Sequence, residues 1–139
     1  KEREKDIMKT KILIIEDNEQ NMYMLSFLLE SENYEVIKAY SGAEGIKAVQ
    51  RYEPHIILLD IQLPELDGYA VAKKLREEEK SKDIPIIVVT SYAMPGDKEK
   101  AMESGATGYI EKPINPDTFI SEMNSFLPKD FLDKRESKL

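Results

Sequence analysis

The sequence predicts a doubly wound α/β domain, a five-stranded parallel sheet with helices on both faces. Short apolar runs rich in β-branched residues recur along the chain, amphipathic stretches with helical spacing separate them, and the connections are short. The runs fall at 12–15, 36–39, 56–59, 84–89 and 108–110. Runs of this length and composition suit strands buried on both faces. The fifth is the weakest and is read as a strand because it continues the alternation.

Each helix is read from spacing and from its ends. Met22, Leu25 and Leu29 recur at i, i+3 and i+7, as do Ile120, Met123 and Leu127; Ala43, Ile46 and Val49 recur at i, i+3 and i+6. Val71 and Leu75 are four apart, so each set defines one apolar stripe. Asn18 is placed to cap the first helix, and Ser41-Gly42-Ala43-Glu44 has the form of a capping box opening the second. Asn115-Pro116 reads as an N-cap followed by proline at the first helical position of a helix over 116–127, which Pro128 ends. A helix over about 96–105 has little apolar content beyond Ala101 and Met102 and is flanked by Gly96 and Gly105. It should be weakly held and is the natural moving part.

The chain of 139 residues is long enough for one domain, here 11–127. Residues 1–10 form a charged lead-in or linker, and 128–139 a polar tail with Phe131 and Leu132 as docking points. No cysteine is present, which removes disulfides, thiolate metal sites and a cysteine nucleophile. A net charge of −7 argues against a broad nucleic-acid surface. No apolar run approaches the ~20 residues of a membrane span, and no signal core opens the chain, so a cytoplasmic protein is expected. Opening on Lys1, the sequence suits a piece of a longer protein as well as a stand-alone chain.

In an open parallel sheet, ligands bind beyond the carboxyl ends of the strands, where the strand order reverses. The first run leads into Glu16 and Asp17, the third into Asp60, the fourth into Thr90 and the fifth into Lys112. In the flavodoxin-like order 2-1-3-4-5, the first and third strands are neighbours about 4.8 Å apart, so three carboxylates converge. Such a cluster favours a hard divalent cation with oxygen ligands, Mg²⁺ above all. A metal alone needs neither Thr90 nor Lys112. A phosphoryl group uses both, one oxygen on the hydroxyl and one on the ammonium, with an aspartate as a competent nucleophile.

Singly, each residue has a plainer reading. A Glu-Asp pair after a strand is commonly a solvated helix start, Thr90 a strand residue, Lys112 a surface lysine, and Tyr109 half-buried packing on an edge strand. His55 lies five residues before Asp60, roughly 16 Å away along an extended strand, and is read as structural.

Four segments together resemble the receiver domain of two-component response regulators: Ile-Leu-Ile-Ile-Glu-Asp-Asn at 12–18, Ile-Ile-Leu-Leu-Asp-Ile-Gln-Leu-Pro-Glu-Leu-Asp-Gly at 56–68, Val-Val-Thr-Ser-Tyr-Ala at 88–93 and Gly-Tyr-Ile-Glu-Lys-Pro at 108–113. The likeness spans roughly 10–127 and implies a role for each matching residue. Asp60 would be the phosphoacceptor; Asp17, Glu16, Asp60 and the backbone carbonyl of Gln62 would hold Mg²⁺; Thr90 and Lys112 would hold phosphate oxygens. Tyr109 would be the switch aromatic, rotating inward as Thr90 is drawn to the phosphate, with the last two helices carrying the readout. The Lys112–Pro113 bond would be cis. The phosphoryl donor would be a sensor histidine kinase, a histidine phosphotransfer protein or a small acyl phosphate, and the output a downstream protein target. The chain would catalyse its own phosphorylation and dephosphorylation without being a turnover enzyme, and Gln62 and Tyr92 would flank the attacking water. Glu16 stands where Asp is more usual, and 116–127 lacks the Arg and Lys of one charged dimer interface seen in related transcription factors. An aspartyl phosphohydrolase is disfavoured because Gln62 occupies the place of its second Asp. A flavin carrier is disfavoured because acids follow the first strand where a phosphate loop belongs. A degenerate receiver, used only for interaction, is the third alternative.

Overall fold

The computed structural model describes residues 9–91 and 94–129. Five strands form one parallel sheet in the order β2-β1-β3-β4-β5: β1 Lys11–Ile15, β2 Glu35–Ala39, β3 Ile56–Leu59, β4 Ile86–Thr90 and β5 Gly108–Glu111. The predicted fold class and strand order are therefore observed. In register, Ile14 of β1 lies beside Lys38 of β2 and Leu58 of β3, while Val88 of β4 lies beside Tyr109 of β5. Strand order reverses between β1 and β3, which opens the crevice there.

Alternation along the strands divides the core into two layers. Ile12, Ile14, Ile56, Leu58, Ile87 and Val89 face α1 (Glu19–Ser31) and α5 (Phe119–Ser125), meeting Met22, Leu25, Leu29, Phe119 and Met123. Leu13, Ile15, Ile57, Leu59 and Ile86 face α2 (Gly42–Tyr52) and α3 (Gly68–Glu77), meeting Val49, Val71 and Leu75. A smaller group on that second face joins Val88 and Tyr109 to Ala101 of α4 (Asp97–Glu103).

Local chemistry explains the element ends. Asn18 caps α1 by accepting from the Asn21 N–H at 2.9 Å, as its position predicts. Ser41 accepts from the Glu44 N–H, but the Glu44 carboxylate reaches the Tyr40 N–H, one residue earlier than a capping box requires. The buried stripe of α2 is Gly42, Gly45, Ala48 and Val49, and Ala43 is exposed, contrary to the apolar spacing. The glycines are the reason: a Cβ on Gly45 would sit 2.4 Å from Ile15 Cδ1, so the helix lies too close for a side chain there. Strand β4 begins at Ile86 instead of 84, because Ile84 donates back to Ser81 and Pro85 has no N–H for the ladder. Helix α5 begins at Phe119. Asn115 accepts from both Thr118 and Phe119 and its side chain caps Asp117, so the Pro116 segment is a tight turn before the helix. The lead-in over 1–8, Tyr92 and the docking points Phe131 and Leu132 lie outside the described residues.

Candidate functional site

Three charged residues of the crevice follow on the strands and are anchored by their own amides. The Glu16 N–H donates to Ala39 O of β2, the Asp60 N–H to Ile15 O of β1, and the Lys112 N–H to Thr90 O of β4. The side chains are thereby aimed at one point. Carboxylate oxygens of Glu16, Asp17 and Asp60 all lie within 4.8 Å of one another. Lys112 Nζ sits 2.7 Å from Glu16 Oε1 and 3.7 Å from Asp60 Oδ2. Glu16 and Asp60 are buried, while Asp17 is exposed at the rim. Two further amides hold the acids: Asn18 N–H donates to Glu16 Oε2 and Gln62 N–H to Asp60 Oδ1, each at 3.1 Å. Together with Asn18, Glu19, Asn21, Gln62 and Ser91 these groups line a cleft of about 430 Å³.

The crowding shows in Asp60. Burial, reinforced by the neighbouring Glu16 carboxylate, pushes its carboxyl up to about 6. The Lys112 ammonium and the Gln62 N–H pull the other way without cancelling the rise. Three acids thus share one ammonium, and their donors are hard oxygens. That set fits a small divalent cation, held by Glu16, Asp17 and Asp60. The Gly68 N–H donates to Ile61 O, and a Cβ on Gly68 would lie 2.6 Å from Asp60 O, so the loop after β3 folds tightly back beneath the acid.

The structure thus gathers Glu16, Asp17, Asp60 and Lys112, with Gln62 exposed at the edge. Thr90 ends β4 fully buried, and its successor Ser91 faces the cleft. Sequence reasoning did not single out Ser91 or Asn21. Ser91 was legible from alternation past Thr90, whereas Asn21 follows only once α1 is placed. Tyr109 lies inward, 9% exposed, packed with Ala101 and Ala106, and its hydroxyl has no hydrogen-bond partner among the described residues. His55 accepts from the Lys11 N–H at 2.9 Å, at the far end of the sheet from the cleft. The Lys112–Pro113 bond is cis.

Comparison with known proteins agrees with this architecture. A model of the response regulator receiver domain matches residues 12–133. The polar-differentiation response regulator DivK of Brucella ovis is 42% identical over 120 residues, covering 86% of this chain and 98% of that protein. Among solved structures, the Vibrio cholerae chemotaxis protein CheY4 superposes with a TM-score of 0.82 at 29% identity, covering 86% of this chain and all of the other. The receiver domain of a sensor histidine kinase from Pseudomonas aeruginosa, described with a magnesium ion coordinated in its active-site cleft, gives 0.78 at 29% identity over 86% of this chain and 98% of that domain.

Proposed function

This chain belongs to the response regulator receiver domain family, and on that premise we propose that Asp60 accepts a phosphoryl group from a partner phosphohistidine. The observation that carries the reading is the convergence of three carboxylates and one ammonium in a single cleft at the strand-order switch. A purely structural cluster would leave that repulsion uncompensated.

Asp60 presents one oxygen to the Gln62 N–H, which leaves the other as the attacking atom. At neutral pH a carboxyl at about 6 is mostly ionised and therefore nucleophilic. Attack forms an O–P bond as the P–N bond to the donor imidazole breaks, and the electron pair returns to that nitrogen. Glu16, Asp17, Asp60 and the Gln62 carbonyl would hold a divalent cation, which would supply positive charge for the transferred oxygens, and the Pseudomonas relative is described with magnesium in its cleft. Lys112 Nζ stands between Glu16 and Asp60, so a short swing from one to the other brings it onto a phosphoryl oxygen. Thr90, with Ser91 beside it, serves a second oxygen. Hydrolysis of the resulting acyl phosphate resets the site, and Gln62, lacking an acid function, favours slow release over turnover. The donor is a sensor histidine kinase or a histidine phosphotransfer protein in the cytoplasm, and the altered surface reads out to a protein target.

Intact mass spectrometry of wild type and Asp60→Asn, with a small acyl phosphate and with or without Mg²⁺, tests this. A single base-labile phosphoryl adduct should form on wild type only, and only with Mg²⁺. No adduct on wild type would assign the chain to the interaction-only reading, and an adduct on Asp60→Asn would place the acceptor at another residue.

A further inference from the structure

The cleft does not end at the acids. Asn21, Ser91 and Lys112, which line it, also line a neighbouring groove of about 510 Å³ that Met24, Pro113 and Ile114 complete. Asn21 and Met24 are i and i+3 on α1 and so share one face of that helix. Ile114, 8% exposed, belongs to the core layer beneath α1 and α5, so the fold itself fixes the floor of the groove. Met24 and Pro113 are exposed at its rim.

Asn21 is the uncommitted polar group at this boundary. Its backbone N–H is taken by Asn18 Oδ1 at 2.9 Å, which closes the first turn of α1. Its side-chain amide is half-buried and makes no hydrogen bond among the described residues. The other two shared groups have work in the cleft. Lys112 Nζ can only donate and lies 2.7 Å from Glu16 and 3.7 Å from Asp60, while Ser91 stands beside Thr90 on the phosphoryl side. Asp17, Glu19 and Gln62 line the cleft but not the groove. Asn21 therefore brings a carbonyl acceptor, with an amide donor next to it, to the passage between the two cavities.

A phosphohistidine has two dissimilar parts to place here. The phosphoryl group belongs with Asp60 and Lys112. The imidazole is flat, apolar on its faces, and carries a second nitrogen on its edge. When the P–N bond breaks, the electron pair stays on the nitrogen that held phosphorus. With a proton on the second nitrogen the ring departs as neutral imidazole; without one it departs as the far more basic imidazolate. An acceptor at that N–H favours the protonated ring, and with it the better leaving group.

We propose that the groove is a leaving-group subsite for the donor's imidazole, with Met24, Pro113 and Ile114 against the ring and Asn21 Oδ1 accepting from its second N–H. The proposal rests on Asp60 accepting the phosphoryl group and adds a residue that selects the donor. Asp60 gains the O–P bond, the P–N bond opens, and the proton on the far nitrogen leaves with the neutral ring.

The test compares two small P–N donors on the full chain with Mg²⁺: phosphoimidazole, which has the ring, and phosphoramidate, which lacks it. Intact mass follows the appearance of the base-labile adduct, and the readout is the ratio of the two rates. Asn21→Ala should lower that ratio about tenfold, the effect of one charge-assisted hydrogen bond lost from the reacting complex. Asn21→Asp keeps an acceptor in place and should hold the ratio at or above that of wild type, even where its charge slows both donors. A ratio unchanged in Asn21→Ala, or lowered equally in Asn21→Asp, overturns the subsite, because a purely structural role moves both rates together. If neither donor labels wild type, the phosphoacceptor reading falls and imidazole itself decides the subsite. Titrated into the chain, it should shift the Met24 methyl resonance and bind at least about threefold more weakly to Asn21→Ala. A Met24 signal that stays still, or that titrates alike in both proteins, overturns the subsite in that case.

Discussion

Replacing Asp60 with Asn should stabilise the protein when no divalent cation is present. The carboxyl sits at about 6 in the fold against 3.8 for an unperturbed aspartate, because it is buried beside Glu16. Each pKa unit corresponds to about 1.4 kcal/mol, so the ionised group weakens the fold by about 3 kcal/mol at neutral pH. Asn must also be desolvated, and Lys112 loses its second acid, which reduces the expected gain to about 1–3 kcal/mol. The sign follows from proton linkage: the folded carboxyl binds its proton more tightly than the unfolded one. The penalty is therefore full above the folded value of about 6, shrinks as pH falls through it, and vanishes below 3.8. Urea unfolding of both proteins at about pH 7.5 and about pH 4.5, with chelator and at about 0.15 M salt to screen general repulsion, measures the difference. Between the higher and the lower pH the gain should shrink by about 2 kcal/mol, because the penalty falls from about 3 to about 1 kcal/mol. Glu30→Gln, an exposed change on α1, controls for loss of one negative charge. An Asp60→Asn protein no more stable than wild type at the higher pH, or a gain equal at both, would refute the account of the cleft.

Two further outcomes test the surroundings of the acid. Gly68→Ala should destabilise by about 1–3 kcal/mol and slow adduct formation, since the new methyl meets Ile61 Cα at 2.5 Å and Asp60 O at 2.6 Å; unchanged denaturation and phosphorylation kinetics would deny the close approach. Tyr92, two residues past Thr90, is expected to shield the acyl phosphate from water, so Tyr92→Ala should shorten its lifetime. An unaltered decay of the phosphorylated mass would remove that role.

Much of this was readable from the chain because strands buried on both faces leave little doubt about themselves. Residues 12–15 and 56–59 have no polar member, and once they are neighbours, Glu16 and Asp60 can only meet. What escaped was packing that uses absence. Gly42 and Gly45 carry the buried face of α2, yet apolar spacing points to Ala43, which is exposed. Pro85 shortened β4 through a missing N–H, a backbone matter invisible to hydropathy. Tyr109 was expected to move inward, but whether it starts outside depends on how much room Ala101 and Ala106 leave on other elements. Arg76 stands in a charged stretch that gives no sign of its partners, and only the fold brings four carbonyls and a threonine to it.

The same backbone ladder that makes the sheet legible also explains why the crowded acids do not simply part. Glu16, Asp60 and Lys112 each give their N–H to the neighbouring strand, to Ala39, Ile15 and Thr90 in turn. Moving any of these side chains far from the cleft means breaking a ladder bond at the buried end of the sheet, at about 1–3 kcal/mol for each orphaned group. That is comparable with the whole penalty on Asp60, so repulsion cannot relax by local movement of the strands and is left to be neutralised by whatever enters. Helix α4 stands outside that ladder, with one buried side chain and, among the described residues, one hydrogen bond to α3 near its N-terminus. The frame around Asp60 is therefore rigid on the sheet side, and α4 is its more weakly held neighbour.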